Sequence, residues 1–145
     1  MADQASDSIM IGADKASVMK VIADFESYPQ WVDMVKQAEV VATDAEGRAT
    51  QVRFVLDAGI IKDEYVLAYD WSRPDTVSWN LVSSKAMKSQ DGVYRLVESA
   101  GSTTVTYDLA LDLKMPMLGA FKRKGQKVII DTALKGLKKR VESGS

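Results

Sequence analysis

The chain contains no histidine and no cysteine. Without histidine it cannot form a Ser-His-Asp triad or use a histidine general base, and it lacks the usual ligands of zinc and non-haem iron. Without cysteine it has no disulfides, thiolate metal sites or cysteine nucleophiles. A glycine-rich phosphate loop and a calcium loop are also missing from the sequence. We therefore expect no metal and no cofactor, and any acid–base chemistry falls to Asp, Glu, Lys or Tyr.

Long apolar runs are missing as well. No stretch approaches the ~20 apolar residues of a membrane span. The first seven residues lack the basic and apolar regions of a signal peptide, so we expect a cytoplasmic protein. The net charge of −1 provides no overall field for nucleic acid, and we expect no nucleic-acid partner. The 145 residues suit one domain, residues 1–145, which we expect to be a monomer.

The longest segment with helical periodicity is the C-terminal one, from Met117 to Val141. Pro116 suits the first turn of a helix, and no proline follows it. Two apolar stripes run along the segment. The first comprises Leu118, Phe121, Gly125, Val128, Ile129, Thr132 and Gly136, and the second comprises Ile130, Leu134, Leu137 and Val141.

Glycine and lysine are the unusual residues of this helix. Gly125 and Gly136 each cost about 1 kcal/mol relative to alanine, so each needs a reason. Either they leave space for a ligand, or they let sheet side chains approach the helix closely. The remaining face is basic, which is typical of a solvated surface. A weak contact with anionic membranes is the alternative interpretation.

The rest of the chain begins with a strand at Ser8–Ile11 and a helix that Asp14 caps. Because Pro29 follows Tyr28, we expect a break there, and then a short helix through Trp31, Val32 and Val35. Six further strands follow, separated by short turns. They are predicted at Val35–Thr43, Thr50–Leu56, Ile61–Trp71, Val77–Leu81, Val93–Val97 and Val105–Leu113.

Most of these strands alternate apolar and polar residues, which is typical of an antiparallel sheet with one covered face. The long C-terminal helix is the only predicted element large enough to cover that face. The sequence therefore predicts an α+β fold, with a curved antiparallel sheet of about seven strands around the C-terminal helix.

Aromatic residues fall on the strand positions that we assign to the covered face. A pocket with apolar rings and a few phenols is one interpretation, and a plain packed core is the other. A single β-bulge would reverse the assignment downstream of it. The predicted cavity lining comprises Phe54, Tyr65, Leu67, Tyr69, Trp79, Leu81, Tyr94, Tyr107, Leu109, Met117, Phe121, Gly125 and Ile129.

Charged residues near the strands give weaker signals. Asp57, Lys62, Asp63 and Glu64 surround a turn, where we expect solvated side chains, with an ion pair at a pocket mouth as the alternative. A carboxylate with a raised pKa would require burial of Asp70 or Asp91. The parity of Asp70 is opposite to that of the neighbouring rings, which favours an outward position for it.

In this element order, β-α-α-β6-α, the chain resembles the helix-grip START-like, or SRPBCC, superfamily. Within it the chain is similar to actinobacterial proteins labelled polyketide cyclase/dehydrase. The similar segments are Tyr28-Pro29-Gln30-Trp31-Val32, Asp57–Asp63, Tyr69-Asp70-Trp71, Val77-Ser78-Trp79, Asp91–Leu96, Val105-Thr106-Tyr107, Leu118–Lys124 and Ile129–Lys138. They cover nearly the whole chain and are structural motifs.

The resemblance implies either of two functions. One is binding or transport of a hydrophobic small molecule, such as a lipid, a polyketide or an aromatic metabolite, in an internal cavity. The alternative is cofactor-independent cyclisation or dehydration of a polyketide by phenol and carboxylate groups. The sequence contains no catalytic motif that identifies individual catalytic residues.

Overall fold

The computed structural model describes residues 4–59, 62–115 and 119–143 of the chain. Seven strands, two α-helices and one 3₁₀ helix occur in these ranges. In chain order they are β1 (Gln4–Ile11), α1 (Lys15–Ala23), the 3₁₀ helix (Phe25–Gln30), β2 (Val35–Thr43), β3 (Ala49–Asp57), β4 (Lys62–Arg73), β5 (Thr76–Ser84), β6 (Met87–Ser99), β7 (Ser102–Leu113) and α2 (Gly119–Glu142).

The strands form one antiparallel sheet in the order β1-β7-β6-β5-β4-β3-β2. Consecutive strands from β2 to β7 are neighbours, because short turns connect them. Register irregularities occur in the β2–β3, β4–β5 and β6–β7 pairs. Such bulges bend a sheet and increase its twist. This architecture confirms the predicted α+β helix-grip fold of about seven strands.

Local sequence explains several element ends. The Asp14 carboxylate accepts a hydrogen bond from the Ser17 N–H at 3.0 Å and so caps α1, as predicted. The β6–β7 hairpin turns through Ala100 and Gly101, whose φ angles are 53° and 82°. Positive φ at both central residues is the geometry of a type I′ turn, which matches the twist of the paired strands.

The predicted short helix through Trp31, Val32 and Val35 is wrong. The structure has the 3₁₀ helix one turn earlier, with Pro29 inside it, and Val35 begins β2. The Tyr28 carbonyl accepts hydrogen bonds from the N–H groups of Trp31 and Val32, at 3.1 and 2.8 Å, which ends the helical turn. Proline fits there because its fixed φ is compatible with 3₁₀ geometry.

Strand boundaries also differ from the predictions. β1 begins at Gln4 and not at Ser8, and β6 begins at Met87 and not at Val93. Polar residues predominate in both added segments, so apolar alternation underestimates these strands. The predicted helix start at Pro116–Leu118, and the predicted strand residue Ile61, lie outside the described residues.

Helix α2 packs mainly against β1, β7 and α1. Its buried residues are Gly125, Gln126, Ile130, Ala133, Leu134 and Leu137. The predicted first stripe is therefore displaced around the helix. Phe121 is 51% exposed and Val128 is 38% exposed, and the fully buried Gln126 was not predicted.

Candidate ligand-binding cavity

A cluster of aromatic side chains lies between the sheet and the helices, within a core that also contains many aliphatic residues. The ring of Trp79 on β5 contacts Tyr69, Tyr94 and Tyr107, with ring centroids 5.6, 5.3 and 5.6 Å apart. Phe54 and Tyr65 form a separate pair on the same sheet face, with ring centroids 5.5 Å apart. Rings at these separations and tilts attract each other beyond the effect of area burial alone.

The 3₁₀ helix adds a second group of rings to this cluster. Phe25 contacts Tyr28 at 5.2 Å and Tyr69 at 4.6 Å. Tyr28 in turn lies 4.7 Å from Trp31 and 6.0 Å from Phe54, measured between ring centroids. The 3₁₀ helix therefore closes the aromatic cluster at the β2–β4 side of the sheet.

A cavity of about 60 Å³ lies inside this cluster. That volume holds a few water molecules and is well below the roughly 300–1,000 Å³ of typical ligand pockets. Among the described residues, its lining comprises Tyr28, Val32, Met34, Val35, Phe54, Leu56, Tyr65, Leu67, Tyr69, Trp79, Gln90, Tyr94, Tyr107, Ile129 and Ala133.

Eight of the thirteen residues predicted from the sequence lie together in this lining: Phe54, Tyr65, Leu67, Tyr69, Trp79, Tyr94, Tyr107 and Ile129. Leu109 and Gly125 are buried elsewhere, and Leu81 is half-buried on β5. Phe121 is half exposed near the start of α2, because β1 and β7 cover a neighbouring face of the helix. Met117 lies outside the described residues.

Four of the five tyrosine hydroxyls have no hydrogen-bond partner within the described ranges. The exception is Tyr28, whose hydroxyl donates to the Ile22 carbonyl at 2.5 Å. A buried phenol usually has a partner. Here the hydroxyls of Tyr65, Tyr69, Tyr94 and Tyr107 belong to residues that line the cavity, so their donors and acceptors are available to a bound molecule.

Burial also determines the protonation of these phenols. Loss of solvation raises the pKa of Tyr65, Tyr69, Tyr94 and Tyr107 well above the usual range of tyrosine. For Tyr65, Tyr69 and Tyr94, neighbouring groups, Tyr107 among them, raise the pKa further. All four hydroxyls are therefore protonated near neutral pH and can donate hydrogen bonds, but they cannot act as bases.

Gln90 and Ala133 are among the lining residues that sequence reasoning missed. Gln90 was missed because β6 was predicted to begin three residues after it. Its strand spacing from Tyr94, four residues, is the signal that could have placed it on the inner face. Ala133 lies on the helix turn after Ile129, and the predicted stripe passed beside it. Tyr28, Val32, Met34, Val35 and Leu56 complete the residues missed.

The carboxylates near the turn after β3 do not lie in the described lining. The expectation that Asp63 is solvated is wrong, because only 7% of it is exposed. Its carboxylate accepts hydrogen bonds from the Ser84 hydroxyl and from the N–H groups of Glu64, Lys85 and Ala86. Asp63 thus has a structural role, since it holds the turn between β5 and β6.

The other carboxylates considered from the sequence face solvent. Asp57, Asp70 and Asp91 are exposed, and the outward position expected for Asp70 is correct. Glu64 is half-buried and pairs with Arg53 and with Lys85, the latter at 2.9 Å. Hydrogen bonds from Lys85 and Arg53 lower the pKa of Glu64.

Gly136 of α2 is required for close packing. A Cβ on this residue would be 2.2 Å from the main-chain oxygen of Trp31. The glycine therefore allows the loop after the 3₁₀ helix to approach α2, and it does not leave space for a ligand. The closely approaching group is backbone, not a sheet side chain as the sequence alternative supposed.

Comparison with known proteins identifies the family. Residues 3–142 match the family described as "Polyketide cyclase / dehydrase and lipid transport". The chain belongs to this family. No curated protein sequence matches it significantly.

Several solved structures have a fold similar to that of this family member. A START superfamily protein from Mycobacterium smegmatis is similar with a TM-score of 0.91 and 22% identity, over 98% of this chain and 99% of that one. The aromatase/cyclase Zhui from Streptomyces sp. R1128 has a TM-score of 0.81 and 11% identity, over 98% and 94% of the two chains. A protein from Thermus thermophilus has a TM-score of 0.83 and 22% identity, over 99% of each chain. At these identities the likeness shows the fold alone.

Two further observations on the described residues concern membranes and metals. None of the described helices is long and apolar enough to cross a membrane. Within residues 4–59, 62–115 and 119–143, no three acidic residues cluster in a way that could hold a metal ion.

Proposed function

We propose that this protein binds a neutral, largely apolar small molecule with aromatic character, such as an aromatic polyketide or another aromatic metabolite. One observation carries the proposal: four phenols without hydrogen-bond partners among the described residues line an otherwise mostly apolar cavity. Ligand pockets combine apolar walls with a few polar groups that orient the ligand. Phenols that stay protonated are suited to donate to carbonyl or hydroxyl oxygens.

The cavity should select against ions. The described lining contains no carboxylate, lysine or arginine. An ionised ligand would therefore lose its hydration without gaining a charged partner, which is strongly unfavourable. A neutral ligand that bears oxygen acceptors avoids this cost.

Binding of such a ligand requires the cavity to widen. Its volume of about 60 Å³ is too small for a fused-ring molecule. Tyr69 and Ile129 are the lining residues that are only half-buried. Displacement of these two side chains exposes the least additional core surface, so we propose that they move when the ligand enters.

The bicyclic ketone 1-tetralone is a suitable probe. Added at well above its dissociation constant, it should raise the melting temperature, because a ligand that binds only the folded state stabilises it. The carboxylate 1-naphthoate, of similar size, should produce little or no shift. Native mass spectrometry of protein purified from its own host should show a bound neutral organic compound. Equal shifts with both probes, or none with tetralone and no bound compound, would contradict the proposal.

Cyclisation or dehydration of a polyketide is the second candidate function. It is favoured by the phenols, which could polarise a ketone oxygen by hydrogen bonding. It lacks a base, because the described lining contains no carboxylate and the phenols have raised pKa values. Incubation with a poly-β-ketone surrogate, with products followed by mass spectrometry, tests it. Turnover that is lost in Tyr94→Phe would replace the binding proposal with a catalytic one.

A surface at the start of α2 supports a further proposal, contact with anionic membranes. Phe121, Lys124 and Val128 follow each other at helical spacing, and Lys127 lies beside them. Phe121 and Val128 are exposed apolar residues, and Met115 is 77% exposed just before the helix. Neither lysine has an ion-pair partner within the described residues. Exposed apolar groups among free cations are the composition of a surface that docks on anionic lipid.

Vesicle sedimentation tests this contact. The protein should bind vesicles that contain phosphatidylserine at low salt, and it should bind phosphatidylcholine vesicles weakly. High salt should release it, because the attraction is screened. The double variant Lys124→Gln, Lys127→Gln should bind less. The control variant Lys135→Gln should bind as the unaltered protein does, because Lys135 already pairs with Asp131. Absence of binding to the anionic vesicles at low salt would exclude the contact.

A further inference from the structure

The side-chain amide of Gln90 is the one polar group of the described cavity lining that is neither a phenol nor the indole N–H of Trp79. It lies on the inner face of β6 and is only 7% exposed. Glutamine is seldom buried to this extent without a specific set of hydrogen bonds. The hydrogen-bond partners of the Gln90 amide therefore determine which of its polar atoms a ligand could use.

The hydrogen bonds of Gln90 fix the orientation of its amide. The indole N–H of Trp79 lies 3.0 Å from Oε1 of Gln90. An indole N–H can only donate, so the oxygen of the amide must face Trp79. The amide nitrogen, Nε2, then faces the sulfur of Met87 at 3.3 Å.

The packing around the amide holds this orientation in place. The indole of Trp79 lies across Gly92, where a Cβ would be 2.1 Å from ring atom Cε2. Met87 is also fully enclosed, and an irregularity between Met87 and Ser89 brings it to the same face as Gln90. Neither partner can move away without disturbing the core.

The result is a buried donor with a poor partner. A thioether is a weak hydrogen-bond acceptor, and an amide nitrogen carries two hydrogens. A carbonyl oxygen would be a much better partner than the Met87 sulfur, and leaving such a donor poorly satisfied is unfavourable.

We propose that Nε2 of Gln90 holds a carbonyl oxygen of the bound ligand. Trp79 is then a positioning residue, which turns the donor toward the ligand by occupying the amide oxygen. The ligand class is narrowed to aromatic ketones, quinones and related carbonyl compounds. This inference rests on the proposed ligand-binding function.

The test compares 1-tetralone with tetralin, which lacks only the carbonyl oxygen. In the unaltered protein, tetralone should bind about tenfold more tightly, since one good hydrogen bond corresponds to about this factor. Gln90→Met keeps an unbranched side chain and removes the donor, so the two affinities should become nearly equal. Trp79→Phe keeps a ring over Gly92 and frees the amide, so the preference should fall partway.

The outcomes separate this inference from the function on which it rests. If tetralone retains its advantage in Gln90→Met, the phenols hold the carbonyl and the role of Gln90 is wrong, while ligand binding stands. If neither compound binds the unaltered protein, both proposals fail. If Gln90→Met does not fold, nuclear magnetic resonance of the unaltered protein decides, because the Gln90 amide signals should shift with tetralone and not with tetralin.

Discussion

The main-chain oxygen of Trp31 lies only 2.2 Å from the point where an ideal Cβ on Gly136 would be. This contact joins the loop before β2 to the C-terminal half of α2. It predicts that Gly136→Ala lowers the free energy of unfolding by about 1–3 kcal/mol, because overpacking outweighs the gain of up to about 1 kcal/mol in helix propensity. Chemical denaturation measures the change.

A matched control for Gly136→Ala lies one residue earlier. Lys135 is exposed, and its ion pair with Asp131 is on the surface, so Lys135→Ala should change stability by less than about 0.5 kcal/mol. A Gly136→Ala variant at least as stable as the unaltered chain would show that the loop can retreat from the helix at no cost.

The sheet side of the cavity could be predicted because strand alternation is a simple period. Tyr65, Leu67 and Tyr69 share a parity on β4, and they lie on the predicted inner face despite the register irregularity between β4 and β5. The helix side could not be predicted as well, since the buried face of α2 depends on which elements pack against it. β1, β7 and α1 cover the face of Ile130 and Leu134, and Phe121 is left exposed.

Asp63 shows the same limit for polar residues. Asp63 shares its strand parity with Tyr65 and Leu67, which favours an inward position. The partners that satisfy its carboxylate there come from the turn between β5 and β6, about 20 residues further along the chain, and strand alternation does not reveal them. Three backbone N–H groups and the Ser84 hydroxyl donate to its carboxylate.

Asp63→Ala should therefore lower the free energy of unfolding by about 2 kcal/mol or more, because it leaves buried donors without an acceptor. Asp57→Ala is the control, since Asp57 is exposed and its side chain accepts the Gly59 N–H at 3.1 Å. Denaturation by urea compares the two variants. Equal losses would mean that burial of the carboxylate does not matter.

Ala100 offers a stabilising change. It has a φ of 53°, which is unfavourable for alanine, and it precedes Gly101 in the β6–β7 turn. Asparagine followed by glycine is the preferred pair for this turn. Ala100→Asn should raise the melting temperature by about 2–4 °C.

Ala45→Asn is the comparison for Ala100→Asn. Ala45 is also exposed in a hairpin turn, but its φ is not positive, so asparagine gains nothing there. A similar melting temperature for both variants would indicate that backbone conformation at Ala100 contributes no strain.

The five tyrosines predict a loss of stability in alkali. Burial raises the pKa of each above its usual range in the folded protein, whereas in the unfolded chain each titrates near about 10. Above that pH the unfolded state binds fewer protons than the folded state, so the free energy of unfolding falls as pH rises. The slope is up to about 1.4 kcal/mol per pH unit for each tyrosine, and the contribution is fully present below pH ~10.

Phenolate absorbance and circular dichroism should therefore change together as the pH rises above about 10. Tyr107→Phe removes one of the five tyrosines and should make the slope correspondingly shallower. Full titration of the tyrosines near their ordinary pKa with the fold intact would show that the cavity is open to solvent.

Ala133 tests whether α2 forms a wall of the binding cavity. It is buried and lies in the lining beside Ile129, so Ala133→Leu adds a branched apolar side chain there. The added carbons reduce a volume of only about 60 Å³, and the ligand must then displace more of the core to enter. We expect the affinity for 1-tetralone to fall about tenfold or more in calorimetric titration, which corresponds to about 1.4 kcal/mol.

The protein should remain folded, because overpacking of about 1–3 kcal/mol is smaller than the stability of a typical domain. Ala120→Leu, at an exposed position of the same helix, should bind as the unaltered protein does. Unchanged affinity in Ala133→Leu would place the ligand away from α2, toward the rings of Phe54 and Tyr65.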